Sequence, residues 1–168
     1  MKKIFFLVLF AAGILNTSFA QQTAQELYEK SKTYMKEGDF DNAILTITKA
    51  LALDPNNYEM LKDECFIYYL KKDFAKATEK GKVLIEKPEA DVQAFQILGM
   101  TYKELALYKD CRKLYKRALT KFPNSGVIYN DAGELLDMDN DHAEAIVMWE
   151  NGMAKDANYS NNYYNAVK

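Results

Sequence analysis

The chain has 168 residues, and its 24 acidic and 22 basic side chains give a formal net charge of −2. This balance excludes the strongly basic footprint that nucleic-acid-binding proteins carry. With three prolines, seven glycines and 13% aromatic residues, the composition disfavours both a disordered chain and an all-β fold rich in turns. We therefore expect a folded protein built from long helices.

The first segment of the chain has the pattern of a secretory signal peptide. Two lysines precede an apolar run from Ile4 to Leu15, and the small residues Ser18 and Ala20 follow it. The run is shorter than the roughly 18 residues that a spanning helix needs, which favours cleavage over the alternative of a retained anchor. We predict a signal peptide over 1–20 and a mature domain over 21–168. That domain would be secreted across a bacterial inner membrane, to a periplasmic or extracellular location, without a stable membrane anchor.

The rest of the chain repeats every 34 residues. Units that begin at Ala24, Tyr58, Val92 and Gly126 align without insertion or deletion. Small residues recur at the eighth and twentieth places of the units, where two helices need to approach each other closely. These residues are Ser31, Cys65, Gly99 and Gly133 at the eighth place, and Ala43, Ala77, Cys111 and Ala145 at the twentieth.

The first unit shows why each unit should form two helices. Thr23 and Glu26 form a capping-box pattern that predicts the start of a first helix. Gly38 is able to take the positive φ of a tight turn, and Asp39 is suited to cap a second helix. That second helix would place Ala43, Ile44, Ile47, Ala50 and Leu51 on one face and end at Asp54-Pro55.

The runs KSKTY at 30–34 and LGMTY at 98–102, with the alanine, aromatic and proline places behind them, resemble the tetratricopeptide repeat family. The resemblance covers nearly all of the mature chain. It implies an all-α fold, a right-handed α-solenoid in which antiparallel helix pairs stack on one another. The domain would comprise the repeats 24–57, 58–91, 92–125 and 126–159, followed by a partial fifth first helix over 160–168. Because one pair cannot bury its own faces, stability would depend on stacking.

Departures from the pattern fall in repeats two and four. Gly81 and Leu84 exchange the sizes found at their places in other repeats, so we expect altered packing there. Gly152 replaces the alanine of other repeats and no closing proline follows it, so we expect the second helix of repeat four to fray. The tail 160–168 would either cap the stack as a short helix or open a longer repeat array.

The residues with chemical potential fit packing places in the repeat. Cys65 and Cys111 belong to different helices of neighbouring units, so we expect two buried free thiols. His142 takes a place that aromatic residues fill elsewhere, and the acidic run around it lacks the glycine and the bidentate glutamate of a calcium loop. Trp149 should be a core residue between helices. We predict no catalytic, metal or cofactor site and no enzymatic activity.

The resemblance places a binding groove along the concave side of the solenoid. This groove would be lined by the second, fifth, ninth, twelfth and thirteenth places of each first helix. The predicted groove residues are Tyr28, Lys32, Met35, Lys62, Phe66, Tyr69, Leu70, Met100, Lys103 and Met138. Large apolar residues that need not support the core suit a peptide or partner helix, with methionine supplying adaptable contacts. Alternatively, neighbouring helices or a tail could cover some of them.

We therefore predict a protein–protein interaction scaffold of the bacterial envelope that binds another protein and neither a cofactor nor nucleic acid. The carboxylate clamp of chaperone-binding repeats is not matched, since acidic Asp63 stands at one of its places. Two alternatives stay open. One is an adaptor portion of a longer enzyme or secretion component, and the other is a glycan-binding module that uses Tyr28, Phe66 and Tyr69 as stacking platforms. The sequence leaves the partner, the process and the oligomeric state open.

Overall fold

The computed structural model describes residues 22–166, so the predicted signal peptide lies outside the described residues. The described chain forms nine α-helices and no strand. They are α1 (Ala24–Lys36), α2 (Phe40–Leu53), α3 (Tyr58–Leu70), α4 (Phe74–Leu84), α5 (Val92–Glu104), α6 (Tyr108–Lys121), α7 (Gly126–Met138), α8 (His142–Lys155) and α9 (Ser160–Ala166). Across 22–166, no helix combines the length and the apolar character that a membrane span requires.

Helices pair in chain order as α1 with α2, α3 with α4, α5 with α6 and α7 with α8. Short turns join the partners, so each pair is an antiparallel hairpin. Each hairpin also packs on the next, because α2 contacts α3, α4 contacts α5 and α6 contacts α7. The helix α9 packs on α8 and α7 as the first half of a fifth pair. The predicted all-α solenoid of four stacked pairs with a partial fifth helix is confirmed.

Side-chain caps fix most of the helix starts. Thr23 and Glu26 form both bonds of a capping box at the start of α1, and the side chain of Asp39 accepts the Asn42 amide at the start of α2. Asp73 caps α4 in the same way. The helices α6 and α8 start without a side-chain cap bond, and in α6 the residue at this position, Leu107, has no polar side chain to provide one.

The turn inside each hairpin requires one left-handed residue. Gly38 has φ 78°, and the residues that take its place in the later repeats have φ 65° at Lys72, 53° at Ala106 and 61° at Asn140. A left-handed backbone costs a residue with a β-carbon about 1–2 kcal/mol, with glycine exempt and asparagine more tolerant. The hairpin geometry is therefore maintained against local backbone preference in repeats two and three.

The two predicted departures have different outcomes. The helix α4 has 11 residues against 14 in α2, so the exchange of Gly81 and Leu84 coincides with a shortened helix. The expectation that α8 frays is wrong, since it runs its full 14 residues to Lys155. Gly152 is buried under Asn162 of α9, whose side-chain amide donates to the Gly126 carbonyl at 3.1 Å. The short α9 thus covers the end that was expected to fray.

The first helices form the inner layer of the solenoid. Contacts between successive first helices join α3 to α5, α5 to α7 and α7 to α9, whereas grooves separate neighbouring second helices. The layer with the closer spacing lies on the inside of a curved stack. The concave side therefore presents α1, α3, α5 and α7, and the convex side presents α2, α4, α6 and α8.

Candidate functional site

Polar bonds between neighbouring first helices form part of the floor of the concave side. The Tyr28 hydroxyl donates to Asp63 Oδ2 at 2.8 Å, and Gln96 Nε2 donates to Asp131 Oδ2 at 3.0 Å. Each bond runs from the fifth place of one repeat to the sixth place of a following first helix. At the end of the stack, the side-chain amide of Asn165 donates to Asn130 Oδ1 at 2.8 Å and joins α9 to α7 through the same two places. These bonds hold the first helices in register.

Asp131 is the most enclosed carboxyl group of this floor. Asp131 as a whole is only 9% exposed. Burial is the main cause that raises the pKa of Asp131 to about 6, while the bond from Gln96 and the nearby Lys103 oppose the rise. Burial also raises the pKa of Asp63, although the bond from Tyr28 acts in the opposite direction. The concave floor therefore contains carboxyl groups that favour the proton-bound form more than exposed ones do.

Lys62 does not take the role predicted for it. Its residue is 5% exposed, and its Nζ lies 2.6 Å from Asp91 and 3.1 Å from Glu59. Burial opposes protonation, but the bonds to these two carboxylates outweigh it and raise the pKa of Lys62. Because Asp91 also caps α5 by accepting the Ala94 amide at 2.9 Å, Lys62 fastens α3 to the start of α5. It is a structural residue rather than a free groove contact.

A cavity lies where the C-terminal turns of α3, α5 and α7 meet. Its volume is about 450 Å³, and it is lined by Tyr69, Met100, Lys103, Glu104 and Met138. Four of these five residues were predicted as groove residues from their places in the repeat. Met138 is 51% exposed, and Lys103 Nζ lies 3.4 Å from Glu134 on the adjacent helix. The cavity thus has an aromatic and thioether lining with one basic and one acidic residue beside it.

Aromatic neighbours hold the wall of this cavity in place. Phe66 and Tyr69 stack with ring centroids 6.1 Å apart and an interplanar angle of 12°. Tyr69 also meets Phe74 at 6.0 Å with a tilt of 51°. Such pairs stabilise a ring in one orientation. The adjacent Leu70 is half-buried. The contacts with Phe66 and Phe74 therefore fix the orientation of the Tyr69 ring in the wall of the cavity.

The predicted groove residues of the first repeat lie apart from this cavity. Lys32 Nζ lies 4.6 Å from the centroid of the Tyr28 ring and 2.7 Å from Glu29, so cation–π and ionic contacts engage it locally. Met35 packs against the buried cluster that contains Leu27 and Ile47. The structure therefore divides the predicted set into four cavity residues, their neighbours Phe66 and Leu70, a packed N-terminal group and the buried Lys62.

Three of the four candidate chemical residues are buried in the packing of the helices, whereas His142, expected in an aromatic packing place, is exposed. Cys65 and Cys111 are free and buried, and burial is the main cause that raises their pKa values to about 12 and about 11. His142, the first residue of α8, has its Nδ1 2.6 Å from Asp137 Oδ1 in the last turn of α7. Trp149 is 6% exposed and packs over Gly133, as expected of a core residue.

The bond between Gln96 and Asp131 was not predicted from the sequence, because the sixth place of the repeat was not among the predicted groove places. A signal existed, because the sixth place holds Asp63 in repeat two and Asp131 in repeat four. A carboxyl group that recurs there predicts a bond to the preceding first helix.

These features define a class of protein, an α-solenoid of stacked helix hairpins with a groove along its inner helices. The first hairpin, residues 24–57, matches the family model for the tetratricopeptide repeat. This match covers one hairpin, and the three later hairpins repeat its two-helix plan at the same spacing of 34 residues. Repeats of this kind present extended concave surfaces for binding, which makes a protein-interaction scaffold the general role.

Known proteins with similar sequence or fold support this assignment. The chain is 26% identical over 136 residues to RNA polymerase II-associated protein 3 of Homo sapiens, covering 81% of this chain and 19% of that protein. The solved structure of MamA from Desulfovibrio magneticus has a TM-score of 0.68 at 19% identity, covering 78% of this chain and 74% of that one. The solved structure of a tetratricopeptide repeat protein from Parabacteroides merdae has a TM-score of 0.69 at 17% identity, covering 86% of this chain and 56% of that one. The two structures show the fold, and the chain spans about a fifth of the curated relative.

Proposed function

We propose that this protein is a non-enzymatic scaffold that binds a peptide segment or helix of another protein through its concave side. The observation that carries the proposal is the cavity between α3, α5 and α7. An apolar side chain of the partner would enter between Tyr69, Met100 and Met138, where it gains burial and adaptable thioether contacts. Lys103 and Glu104 at the same cavity would bond to polar groups of the partner beside this anchor.

The size and exposure of this cavity support a protein partner. Its volume of about 450 Å³ accommodates a large side chain together with adjoining backbone, and Met138 is 51% exposed although it is apolar. A glycan would need open aromatic faces, whereas the Tyr69 ring lies between Phe66 and Phe74. The arrangement therefore favours an apolar anchor over a sugar ring.

We also propose that the scaffold works in the bacterial envelope, because residues 1–20 carry the pattern of a signal peptide. Fractionation of the producing cells with an antibody to the protein tests this. We expect a processed form in the envelope fraction. An unprocessed form in the cytoplasm would contradict the location while leaving the binding proposal unaffected.

Substitution inside the cavity tests the binding proposal. We expect Met100→Glu to reduce retention of the natural partner from envelope extracts by at least about tenfold, because it places a charge where an apolar side chain would be buried. Tyr69→Ala should have a similar effect by removing the wall. Leu45→Ala is the matched control, since Leu45 is exposed on α2 and does not line the cavity. Unchanged retention by a folded Met100→Glu variant, checked by its melting temperature, would refute the proposal.

A further inference from the structure

The convex side has a groove of its own between α6 and α8, which we call the α6–α8 groove. Its volume is about 480 Å³, against about 250 Å³ for the gap between α4 and α6 and about 180 Å³ for a pocket lined by α3 and α4. Its surface is mostly apolar, from residues that include Leu119, Ala132, Leu135, Leu136 and Met148, and the charged residues Arg112, Lys116 and Glu144 also line it. It is distinct from the concave cavity, with which it shares no lining residue.

The internal repeat explains why this gap is open. Between α4 and α6, Arg117 reaches across to Glu86, with Nη2 2.9 Å from Oε2, and also bonds the Ile85 carbonyl at 3.2 Å. One repeat later the corresponding residues are Asn151 and Thr120, both exposed. Thr120 donates its hydroxyl to a carbonyl of its own helix at 3.0 Å. The Arg117–Glu86 bridge therefore has no equivalent at these two places, and the ion pair that spans α6 and α8, between Arg112 and Glu144, is longer at 4.0 Å. The apolar side chains of Leu119 and Met148 stay partly exposed in the groove.

Positive charge borders the groove along α6. This helix has six basic residues and one acidic residue: Lys109, Arg112, Lys113, Lys116, Arg117 and Lys121 against Asp110. Arg112 is paired with Asp139 at 2.7 Å, and Arg117 is used by the bridge to Glu86. Within residues 22–166, no carboxylate lies within 4.0 Å of the ammonium of Lys109 or Lys116, which are seven residues apart and therefore share one face of α6. This side of the groove presents cations that the described fold leaves without ionic partners.

We propose that the α6–α8 groove docks an acidic amphipathic helix of a partner protein. From Arg112 to Thr120 the groove follows α6 over nine residues, about 12 Å at a rise of about 1.5 Å per residue. That length suits the two or three apolar side chains that one helix face presents over two turns. Acidic residues flanking those side chains would pair with Lys109 and Lys116. The protein would then hold two partners at once, one on each side of the solenoid.

This proposal is tested by introducing into the α6–α8 groove the ionic bridge that Arg117 and Glu86 form one repeat earlier. The variant Thr120→Glu with Asn151→Arg leaves the net charge unchanged, and the matched control is Thr120→Gln with Asn151→Gln. The probe is a fluorescent designed helix with leucine on one face and glutamate on both flanks. We expect the closed variant to bind this probe at least about tenfold more weakly than the natural protein, and the control to bind like the natural protein. Equal binding by the closed variant and the control would overturn the proposal.

A second pair of variants tests the charge complementarity. Lys109→Glu with Lys116→Glu should weaken binding of the probe about tenfold or more, whereas Lys30→Glu with Lys49→Glu changes the net charge equally at exposed positions outside the groove and should have little effect. A probe with lysine in place of glutamate should bind poorly. Equal binding of both probes, or loss with both variant pairs alike, would overturn the proposal. So would binding of anionic phosphatidylglycerol vesicles in place of the acidic helix. Retained binding by the Met100→Glu variant would separate this surface from the concave one.

Discussion

At the residue scale, Leu107 occupies a position where the hairpin turn favours a helix-capping side chain. Its backbone angles, φ −84° and ψ 54°, are close to those of Asp39 and Asp73, whose carboxylates accept an amide of the following helix. In α6 the corresponding Asp110 amide bonds only the Leu107 carbonyl, at 3.1 Å. The side chain of Leu107 is 40% exposed and adds little to the core.

We expect Leu107→Ser to increase the free energy of unfolding by about 1 kcal/mol, because serine supplies the missing cap without placing a second carboxylate next to Asp110. Urea denaturation measures the change. Leu107→Ala is the control, since it removes the same apolar surface and adds no cap, and Asp73→Ala should lose about 1 kcal/mol. Equal stability of the serine and alanine variants would show that capping does not limit α6.

Asp131 makes stability depend on pH in a definite direction. Burial raises its pKa from an ordinary 3.8 to about 6, so the folded state holds this proton more tightly than the unfolded state does. The contribution of Asp131 therefore favours folding below pH 4 and is lost as the pH rises through 6. We expect Asp131→Asn, which keeps the shape without the charge, to stabilise the protein at pH 7 by about 2 kcal/mol.

Urea denaturation at pH 7 and at pH 4.5 would measure this effect, with the gain from Asp131→Asn smaller at the lower pH. The exposed Asp110→Asn is the control and should change the free energy of unfolding by only a few tenths of a kcal/mol at either pH. A gain that is the same at both pH values would contradict the assignment of the pH dependence to Asp131.

The structural role of Lys62 could not be predicted from its place in the repeat. A lysine stem is long enough to lie along the protein surface, so the location of its charge depends on which carboxylates the next hairpin brings near. Here Asp91, 29 residues away in sequence, lies 2.6 Å from the ammonium group. The positions of Met100 and Met138 beside the concave cavity were easier to predict, because they follow from places in the repeat and do not depend on a charged partner.

At the element scale, the two helices of a hairpin contact each other at the eighth and twenty-fourth places of the repeat. A small side chain at the first of these places compensates for a large one at the second. An added β-carbon at Gly99 would lie 2.3 Å from the Tyr115 hydroxyl, and one at Gly133 would lie 2.3 Å from Trp149 Nε1. The same places hold Ser31 and Ile47 in the first hairpin, both fully buried. A small residue on the first helix thus permits a large one on the second.

We expect Gly133→Ser alone to destabilise the protein by about 2–3 kcal/mol, since the indole has no room to move within a packed core. Combining it with Trp149→Ile, which transplants the pair of the first hairpin, should recover at least about 1 kcal/mol relative to the sum of the two single losses. A double-mutant cycle in urea provides the measurement. Effects that add within about 0.5 kcal/mol would contradict direct compensation between these places.

The sequence predicted the hairpins because small and large residues recur in a constant register. It could not predict that α8 keeps its full length, since that depends on Asn162 of α9 packing against Gly152. Contacts within one hairpin follow from its own residues, whereas the end of a stack depends on whatever residue the next element brings to it.

At the scale of the whole molecule, stacking creates the two surfaces that we propose as binding sites, and no single hairpin contains either of them. The concave cavity takes residues from α3, α5 and α7, and the α6–α8 groove takes residues from three successive helices. The concave residues Tyr69, Met100, Lys103 and Met138 could be listed from their places in the repeat, and their role in binding stays a prediction. The convex groove could not be predicted in this way, because it depends on a bridge that Arg117 and Glu86 form in one gap and that Asn151 and Thr120 do not form in the next.

Site-specific photocrosslinking in the producing cells tests the central claim, that the concave cavity holds a segment of another protein. A photoreactive phenylalanine analogue would replace Met138, which is 51% exposed in the cavity, or Leu45, which is 53% exposed on α2. We predict a discrete adduct with one partner at position 138 that disappears when Met100→Glu is added, and no such adduct at position 45. An adduct that persists with Met100→Glu, or that forms equally at both positions, would contradict the account.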